Sequence, residues 1–443
     1  MKCVFMAGGK GTRISSIISD IPKPMIKVGG KPILEHEIEC LRNQGYFDFI
    51  ITVSHMGQTI VDYFGDGNKI SPATHENFGV HIEYYVEKEP LGNAGALFRL
   101  KEKLSEDFLL LNADVLFDVD VHRFIKRHKD SGALVTLFTH PNNHPYDSGL
   151  IETDEEGWVV NWLTKEESRN GFYKNRVNAG LHILSPQVLD MYESGMPMDL
   201  DRQVLKPLAG TGKMCVYDSP EYVKDMGTPE RFQAVCRDYH LGIIAGKNLR
   251  NKQRAVFLDR DGVVNKHVGF LTDIREFELL PNAAKAIKKI NDLGMLAVVV
   301  TNQPVIARGD VTYKQLEDIH NKMEVLLGKE GAYVDGIYFC PHHPDRGYAG
   351  EVAELKIDCD CRKPKIGMFV RAAAELNIDL RRSWMIGDGE KDIRAGNSAG
   401  CSSILISDGE RDFGQQITKK SLLDAVNEIE RILGKMDENL WIV

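Results

Sequence analysis

Several stretches of this chain carry residue types at spacings that could do chemistry. Asp259-Arg260-Asp261 closes the apolar run Arg254–Leu258. Carboxylates at i and i+2 after a buried strand can both face one site when the backbone turns between them. Cys340-Pro341-His342-His343 and Cys359-Asp360-Cys361 supply three thiols and an imidazole. That donor set makes a closed tetrahedral site, hence a structural zinc rather than a catalytic one. Near the start, Lys2–Ala7 runs into Gly8-Gly9-Lys10-Gly11-Thr12-Arg13. Glycines after a strand let backbone N–H groups approach phosphate oxygens. Arg13 and Lys23, the latter in Pro22-Lys23-Pro24-Met25, add the cations a triphosphate needs. The loop is neither GxxxxGK[ST] nor GxGxxG. Asn112-Ala113-Asp114 and Asp225-Met226-Gly227-Thr228-Pro229 each follow an apolar run, where carboxylates of open α/β sheets meet ligands and divalent metals. Taken singly, each of these aspartates reads as readily as an Asx-turn or a helix cap.

Such residues need a scaffold. Apolar β-branched runs alternate with helical patterns almost from end to end, the signature of α/β layering on a mainly parallel sheet. Strands are expected at Lys2–Ala7, Phe49–Val53, His81–Val86, Phe108–Asn112 and Ala133–Phe138, with helices at Pro32–Asn43, Ala94–Lys103 and Val121–Lys129. After Pro141 the rhythm shortens to Leu150–Thr153, Trp158–Leu163, Val177–Leu184 and Met214–Asp218, a mixed, partly antiparallel extension closed by a helix near Pro229–Leu241. Ile243–Gln253 is polar at its end and basic, the composition of a linker. Alternation then resumes, with strands at Arg254–Leu258, Met295–Val300, Gly336–Phe339, Ser383–Ile386 and Ser402–Ile406. The accompanying helices are Asn282–Leu293, Tyr313–Leu327, Gly367–Leu376 and Lys420–Leu433. No motif repeats between the halves. The pattern predicts two independent α/β domains, residues 1–242 and 254–443, joined by 243–253.

Composition narrows the class. A chain of 443 residues exceeds one ordinary core. Its 55 basic and 64 acidic residues leave a net charge of −9, which argues against a general nucleic-acid binder. No apolar run approaches the roughly 20 residues that span a bilayer. Met1–Met6 enters a strand without the basic and apolar regions of a secretory signal. Eight cysteines, four of them scattered singly (Cys3, Cys40, Cys215, Cys236), make a disulfide framework improbable and a reducing cytoplasm the expected setting.

The motifs of the first half are AGGKGTR (Ala7–Arg13), SDIPKPM (Ser19–Met25), PLGNAGAL (Pro90–Leu97), NAD (Asn112–Asp114), NAG (Asn178–Gly180) and DMGTPE (Asp225–Glu230). In this order they resemble the sugar-1-phosphate nucleotidyltransferases, in particular those making GDP-mannose and GDP-heptose, over about residues 1–240. The resemblance implies a Rossmann-like domain with a mixed-sheet extension. It implies that Ala7, Gly8, Gly9, Gly11 and Thr12 cradle the nucleotide and that Arg13 and Lys23 bind the triphosphate. Asp114 and Asp225 would hold Mg²⁺, Gly92 would lie near the base, and Lys165 and Asn178 would contact the sugar phosphate. Two departures stand out. Ile14-Ser15-Ser16-Ile17 replaces the leucine and proline that many relatives carry after GTR, and Thr164-Lys165 replaces the usual Glu-Lys pair. The ISSIISDIPKPM form is closer to the heptose-1-phosphate guanylyltransferases. The sugar 1-phosphate oxygen would attack the α-phosphorus and expel pyrophosphate, with in-line positioning and charge neutralisation as the catalytic devices.

In the second half DRDGVVN is followed by Thr301-Asn302-Gln303, Arg362-Lys363-Pro364 and Gly387-Asp388-Gly389-Glu390-Lys391-Asp392, each after a strand or loop in that order. This series resembles the haloacid dehalogenase superfamily of phosphatases. It implies that Asp259 attacks phosphorus and that Asp261 protonates the leaving alkoxide and then activates water. Thr301 and Lys363 would bind the transferring phosphoryl group, and Asp259, the Asp261 carbonyl and Asp388 would hold Mg²⁺. Asn302, Gln303, Arg308 and Arg362 would face the sugar phosphate. With the zinc ligands Cys340, His342, Cys359 and Cys361 in loop 340–361 (His343 being spare), the match narrows to the D-glycero-D-manno-heptose 1,7-bisphosphate 7-phosphatases over about residues 252–410. Pro304-Val305 stands where a Ser-Gly is usual, and Gly389 where relatives often carry a lysine.

Together the resemblances imply a bifunctional enzyme of GDP-heptose synthesis, using GTP, heptose 1,7-bisphosphate and heptose 1-phosphate, with Mg²⁺ at both sites and structural Zn²⁺. No nucleic acid or membrane partner is expected. Two other readings are a mannose-1-phosphate guanylyltransferase fused to a histidinol-phosphate-type phosphatase, and a silent nucleotide-sugar sensor fused to a working phosphatase. Loss of Lys23, Asp114 or Asp225 would favour the sensor, and all three are present.

Overall fold

The computed structural model describes residues 1–8, 21–54, 56–87, 89, 91–167, 169, 171–192 and 196–440. Packing divides the chain into two units. Met1–His140, Gly149–Thr164 and Arg176–Asn248 form the first; Pro141–Ser148, Lys165–Asn175 and the chain from Leu249 onward form the second.

The first unit is built on a nine-stranded mixed sheet. Its strands are β1 (Cys3–Met6), β2 (Asp48–Val53), β3 (His81–Val86), β4 (Phe108–Asn112), β6 (Val135–His140), β7 (Leu150–Thr153), β8 (Val159–Leu163), β9 (Val177–Leu184) and β10 (Met214–Asp218). Strands β5 (Val115–Asp118) and β11 (Tyr222–Asp225) pair with each other in a separate antiparallel ribbon, and Lys27–Val28 pairs with Lys31–Pro32 in another. The main order is β8-β7-β9-β4-β1-β2-β3, with β6 joining β9 to β10. Strands β4, β1, β2 and β3 run parallel. Strand β9 enters antiparallel to β4 and starts the mixed extension. Val4, Phe5, Leu109 and Leu110 are at most 1% exposed. Burial on both faces is why these strands read as unbroken apolar runs. The covering helices include α1 (Ile33–Arg42), α2 (Gly57–Phe64), α3 (Val121–Ser131) and α4 (Pro229–His240). Asp120 caps α3 by accepting from His122 and Arg123 N–H groups, and Thr228 caps α4 ahead of a proline at its first position.

The helix expected over Ala94–Lys103 is instead one turn at Gly95–Phe98 and a 3₁₀ turn at Lys101–Lys103. Ala94 through Phe98 are all buried, so the first turn lies wholly in the core and the exposed polar residues fall only at Arg99 and Lys101–Lys103.

The second unit has a six-stranded, fully parallel sheet. It comprises β12 (Ala255–Leu258), β13 (Leu296–Asn302), β14 (Gly336–Cys340), β15 (Trp384–Gly387), β16 (Ser402–Ile406) and β17 (Ile417–Lys419), in the order β14-β13-β12-β15-β16-β17. The order reverses about β12, so a crevice opens beyond its carboxyl end, between β13 and β15. Helices α5 (Ala283–Asp292), α6 (Tyr313–Lys329), α7 (Gly367–Glu375), α8 (Glu390–Ala399) and α9 (Leu422–Leu440) complete the layers. Thr312 and Gln315 form a reciprocal capping box at the start of α6. The segments donated from 141–148 and 165–175 also pack on this unit: Glu324 of α6 accepts from the Asn175 N–H, and Arg169 donates to the Pro145 and Ser148 carbonyls.

Residues 243–253 are folded. They carry a short helix at Ile243–Gly246, Asn248 donates to Asp118 at 2.7 Å, and Gln253 bridges to Ile378. Among the described residues, no helix is long and apolar enough to cross a membrane.

Candidate active sites

In the second unit, neighbouring strands deliver three of the residues around one crevice: Asp259 follows β12, Thr301 is the last residue but one of β13, and Asp388 follows β15. Lys363 is 2% exposed and lies among them. Its Nζ is 2.8 Å from Asp259 Oδ1 and 2.5 Å from Asp392 Oδ1, and it donates to the Val300 carbonyl at 2.8 Å. Asp259 Oδ1 also accepts from the Arg260 N–H at 2.8 Å, which leaves Oδ2 for an incoming group. Burial, and after it the Asp392 charge, push the Asp259 carboxyl up to about 6 against the pull of Lys363. Burial would lower the Lys363 ammonium, but Asp259 and Asp392 outweigh it and hold it above the ordinary range. Burial and Asp259 raise Asp388 as well.

Asp261 is held by five donor contacts. Oδ1 accepts from Arg260 Nε (3.3 Å), Arg260 Nη2 (3.0 Å) and Asn265 Nδ2 (2.9 Å), while Oδ2 accepts from Arg260 Nη2 (2.8 Å) and Gln303 Nε2 (2.9 Å). Burial would raise this carboxyl, but Arg260, Asn265 and Gln303 outweigh it and keep it below the usual carboxylate range. Arg260 is itself fully buried against Gln303 Oε1 and the ring of His320. Burial, then Arg260, pulls His320 down to about 3.

The remaining residues named from sequence in this unit have definite partners. Thr301 Oγ1 accepts from Gln303 at 2.8 Å. Asn302 brackets the Lys363 backbone, accepting from its N–H at 3.0 Å and donating to its carbonyl at 3.1 Å. Arg308 lies between the Phe270 and Tyr348 rings, 4.1 and 4.5 Å from their centres. Arg362 donates to the His342 carbonyl at 3.2 Å.

Asp259, Asp388 and Asp392 can each offer an oxygen within 4.8 Å of the others. Three carboxylates against one ammonium leave two negative charges, and hard oxygen donors suit Mg²⁺. The residues fit that ion. Gly262 shows how tightly they are drawn. It adopts a positive φ of 87°, and a Cβ there would overlap the Asp388 carboxylate.

Cys340, His342, Cys359 and Cys361 form a second cluster. Its edges are 3.5 Å (Cys340–Cys359), 3.3 Å (Cys359–Cys361), 3.3 Å (His342 Nδ1–Cys361) and 3.7 Å (Cys340–His342 Nδ1). Ligands at tetrahedral zinc distances stand about 3.7 Å apart, so the donor set and its spacing both fit. Hydrogen bonding from Cys340 pulls the Cys361 thiol down to about 5, and the same contact raises Cys340.

In the first unit Lys23 Nζ donates to Asp114 Oδ2 at 2.9 Å. The β5–β11 ribbon places Asp225 directly across from Val115, one residue from Asp114. Arg231 Nη1 bonds both Asp225 oxygens, at 2.8 and 2.9 Å. Two partly exposed carboxylates, Asp114 in the turn before β5 and Asp225 at the end of β11, are the donors Mg²⁺ takes. Ala7 ends β1 by donating to the Thr52 carbonyl, and the Gly8 carbonyl accepts from Ser54 at 2.7 Å. Gly92 has a φ of 75°, and a Cβ there would overlap the Met198 carbonyl. Gly9, Gly11, Thr12 and Arg13 lie outside the described residues. Asn178 belongs to the first unit, whereas Lys165 lies in the segment that packs with the second.

Sequence reading gave no role to Asp392, Arg260, Asn265, His320 or Arg231. Asp392 had a signal in its i+4 spacing from Asp388 at a helix start. Arg260 and His320 had none, because only the fold brings them together.

Residues 2–240 match the nucleotidyl transferase family, and residues 360–427 match the HAD-hydrolase-like family. The D-glycero-beta-D-manno-heptose-1,7-bisphosphate 7-phosphatase of Haemophilus ducreyi is 41% identical over 181 residues, 39% of this chain and 97% of that protein. The chain belongs to the nucleotidyl transferase family and, through its second half, to the heptose-bisphosphate phosphatase family. It is a bifunctional enzyme, a nucleotidyltransferase joined to a sugar-phosphate phosphatase. Over the first half, the UTP–glucose-1-phosphate uridylyltransferase of Synechocystis sp. is 31% identical over 53% of this chain and 62% of that protein. The mannose-1-phosphate guanylyltransferase of Mycobacterium tuberculosis is 32% identical over 58% of this chain and 70% of that protein.

Proposed function

We propose that the phosphatase removes the 7-phosphate of D-glycero-α-D-manno-heptose 1,7-bisphosphate and that the transferase then joins the heptose 1-phosphate to GMP from GTP, releasing pyrophosphate and GDP-heptose. The observation that carries this reading is the near-complete coverage of a heptose-bisphosphate phosphatase by a unit whose Asp259, Asp261, Lys363 and Asp388 surround one crevice.

Asp259 Oδ2 attacks the phosphorus of the 7-phosphate while Lys363 fixes Oδ1. The bond from phosphorus to the C7 oxygen breaks, and that oxygen takes a proton from Asp261, which enters this step protonated, having taken up one proton as the bisphosphate binds. Asp261 then accepts a proton from the water that splits the aspartyl phosphate, freeing phosphate and restoring Asp259. The ion-paired carboxylate that Arg260 maintains is the base form this second step needs. Mg²⁺, held by Asp259, the Asp261 carbonyl and Asp388, would screen the repulsion between phosphoryl dianion and carboxylate.

The product keeps its 1-phosphate, which is the nucleophile a nucleotidyltransferase requires. In the first unit Arg13 and Lys23 would bind the triphosphate, and Asp114 and Asp225 would hold a Mg²⁺ that neutralises phosphate charge. A 1-phosphate oxygen attacks the α-phosphorus in line with departing pyrophosphate.

The phosphatase relatives are named for the β-anomer, whereas the transferase motifs resemble those of enzymes acting on α-sugar phosphates. The proposal commits to α. Incubating the protein with each anomer of the bisphosphate and with GTP, ATP, CTP or UTP, followed by mass spectrometry, tests it. GDP-heptose from the α-anomer is expected. Exclusive use of the β-anomer, or a UDP- or ADP-heptose as main product, would overturn the substrate assignment.

A further inference from the structure

Strand β9 is distorted where it carries Asn178. Its pairing with β6 shifts register between Asn178 and His182. Residues four apart on a regular strand stand about 13 Å apart, yet here His182 Nε2 lies 3.0 Å from Asn178 Oδ1. The Gly180 N–H donates to the same oxygen at 3.3 Å. A backbone N–H can only donate, so this atom is the carboxamide oxygen, and His182 carries its proton on Nε2. On the other side, Asn178 Nδ2 donates to Asp201 Oδ1 at 3.4 Å. Asp201 stands at the start of the turn Leu200–Leu205, whose first N–H, that of Leu200, donates to Asn93 beside Gly92.

This network consumes the Asn178 oxygen with two donors and one of its two N–H bonds with Asp201. The other N–H is its remaining function, a donor suited to a phosphate or hydroxyl oxygen. A buried polar atom beside the distortion makes no hydrogen bond, the hydroxyl of Thr139, the residue across from Asn178 on β6. The His182 ring is fully buried, and burial pulls its protonation down to about 4 against the backbone of Leu110, so the ring remains neutral.

We propose that His182 and Asp201 are positioning residues that lock the Asn178 carboxamide so that its free N–H meets the sugar 1-phosphate. The inference rests on the reading that Asn178 contacts that substrate. Both act through Asn178 and touch no reacting atom.

The test uses the full chain, heptose 1-phosphate and GTP, with pyrophosphate release as the rate and a thermal melt for each variant. His182→Leu should raise the KM for heptose 1-phosphate about tenfold, the worth of one well-placed hydrogen bond, and leave the KM for GTP within about twofold. His182→Gln, which keeps an N–H donor in that place, should recover most of the loss. Asp201→Ala, in the turn Leu200–Leu205 rather than on β9, should match His182→Leu. Equal KM values for the Leu and Gln variants, or a GTP KM that shifts as much as the sugar KM, would overturn the inference. If Asn178→Ala raises the sugar KM while well-folded His182→Leu and Asp201→Ala do not, the positioning role fails alone. If Asn178→Ala itself leaves that KM unchanged, the underlying reading fails first.

Discussion

At the phosphatase crevice, neighbouring side chains hold the charged groups with little freedom. Lys363 bridges Asp259 and Asp392, and Arg260 saturates Asp261. Gly262 is the point where added volume cannot be absorbed. Gly262→Ala combines a left-handed backbone, worth about 1–2 kcal/mol against a side chain, with overlap on Asp388. Phosphatase kcat should fall about a hundredfold while pyrophosphate release from the transferase persists; an alanine variant of wild-type rate would contradict this packing. His320 gives a pH prediction. Its folded pKa of about 3 lies below the unfolded value near 6.5, so the unfolded chain binds more protons between those pH values, and acidification removes stability at this site. Asp259, raised to about 6, works in the opposite sense and masks part of the effect in the wild type. The difference between wild type and His320→Gln isolates it. Below pH 6.5 the variant should gain on the wild type by about 1 kcal/mol per pH unit, read from denaturant unfolding at pH 7, 6 and 5; a constant difference would show that His320 is not held neutral. Asp259, Thr301, Lys363 and Asp388 are legible in sequence because each sits at a strand end or in a charged loop with a telling neighbour. Arg260 looks like a solvated linker between two aspartates and is fully buried, a fact that only the assembled fold contains.

The elements follow the same division. Strands Phe108–Asn112, Val177–Leu184 and Ser402–Ile406 have the bounds that their apolar runs predict, since burial on both faces writes a continuous signal. The β5–β11 ribbon was missed because each strand is four residues long and pairs over about a hundred residues of chain. Yet that ribbon is what sets Asp225 beside Asp114. The distortion of β9 was equally hidden, because strand propensity does not encode a register shift. The loop that carries Cys340, His342, Cys359 and Cys361 is the element that a bound zinc would order. Arg362 and the loop ligands are tied together through the His342 carbonyl, and Asn302 brackets Lys363 one residue on. Cys359→Ser should drop zinc content well below one per chain and lower phosphatase activity, with Arg362 and Lys363 losing protection in hydrogen exchange. Structural zinc contributes about 10–16 kcal/mol in small peptides, enough to order such a loop. Full phosphatase activity in protein stripped of zinc would contradict a structural role.

On the scale of the whole chain, each unit brings its own strand ends, cations and acidic residues together, and the alternation of apolar runs announced both sheets. The chemistry of the two halves is complementary: a bisphosphatase that spares the 1-phosphate makes the nucleophile that a nucleotidyltransferase uses. Two complete centres acting in that order is the central claim. The most direct measurement follows phosphate, pyrophosphate and nucleotide sugar when wild type, Asp259→Asn and Asp114→Ala are each given α-heptose 1,7-bisphosphate and GTP, and then heptose 1-phosphate and GTP. Wild type should release one phosphate and one pyrophosphate per GDP-heptose. Asp259→Asn should make GDP-heptose from the 1-phosphate only, and Asp114→Ala should release phosphate from the bisphosphate but no pyrophosphate. A folded Asp259→Asn protein inactive with heptose 1-phosphate, or a nucleotide sugar that still carries the 7-phosphate in the wild-type reaction, would contradict the claim.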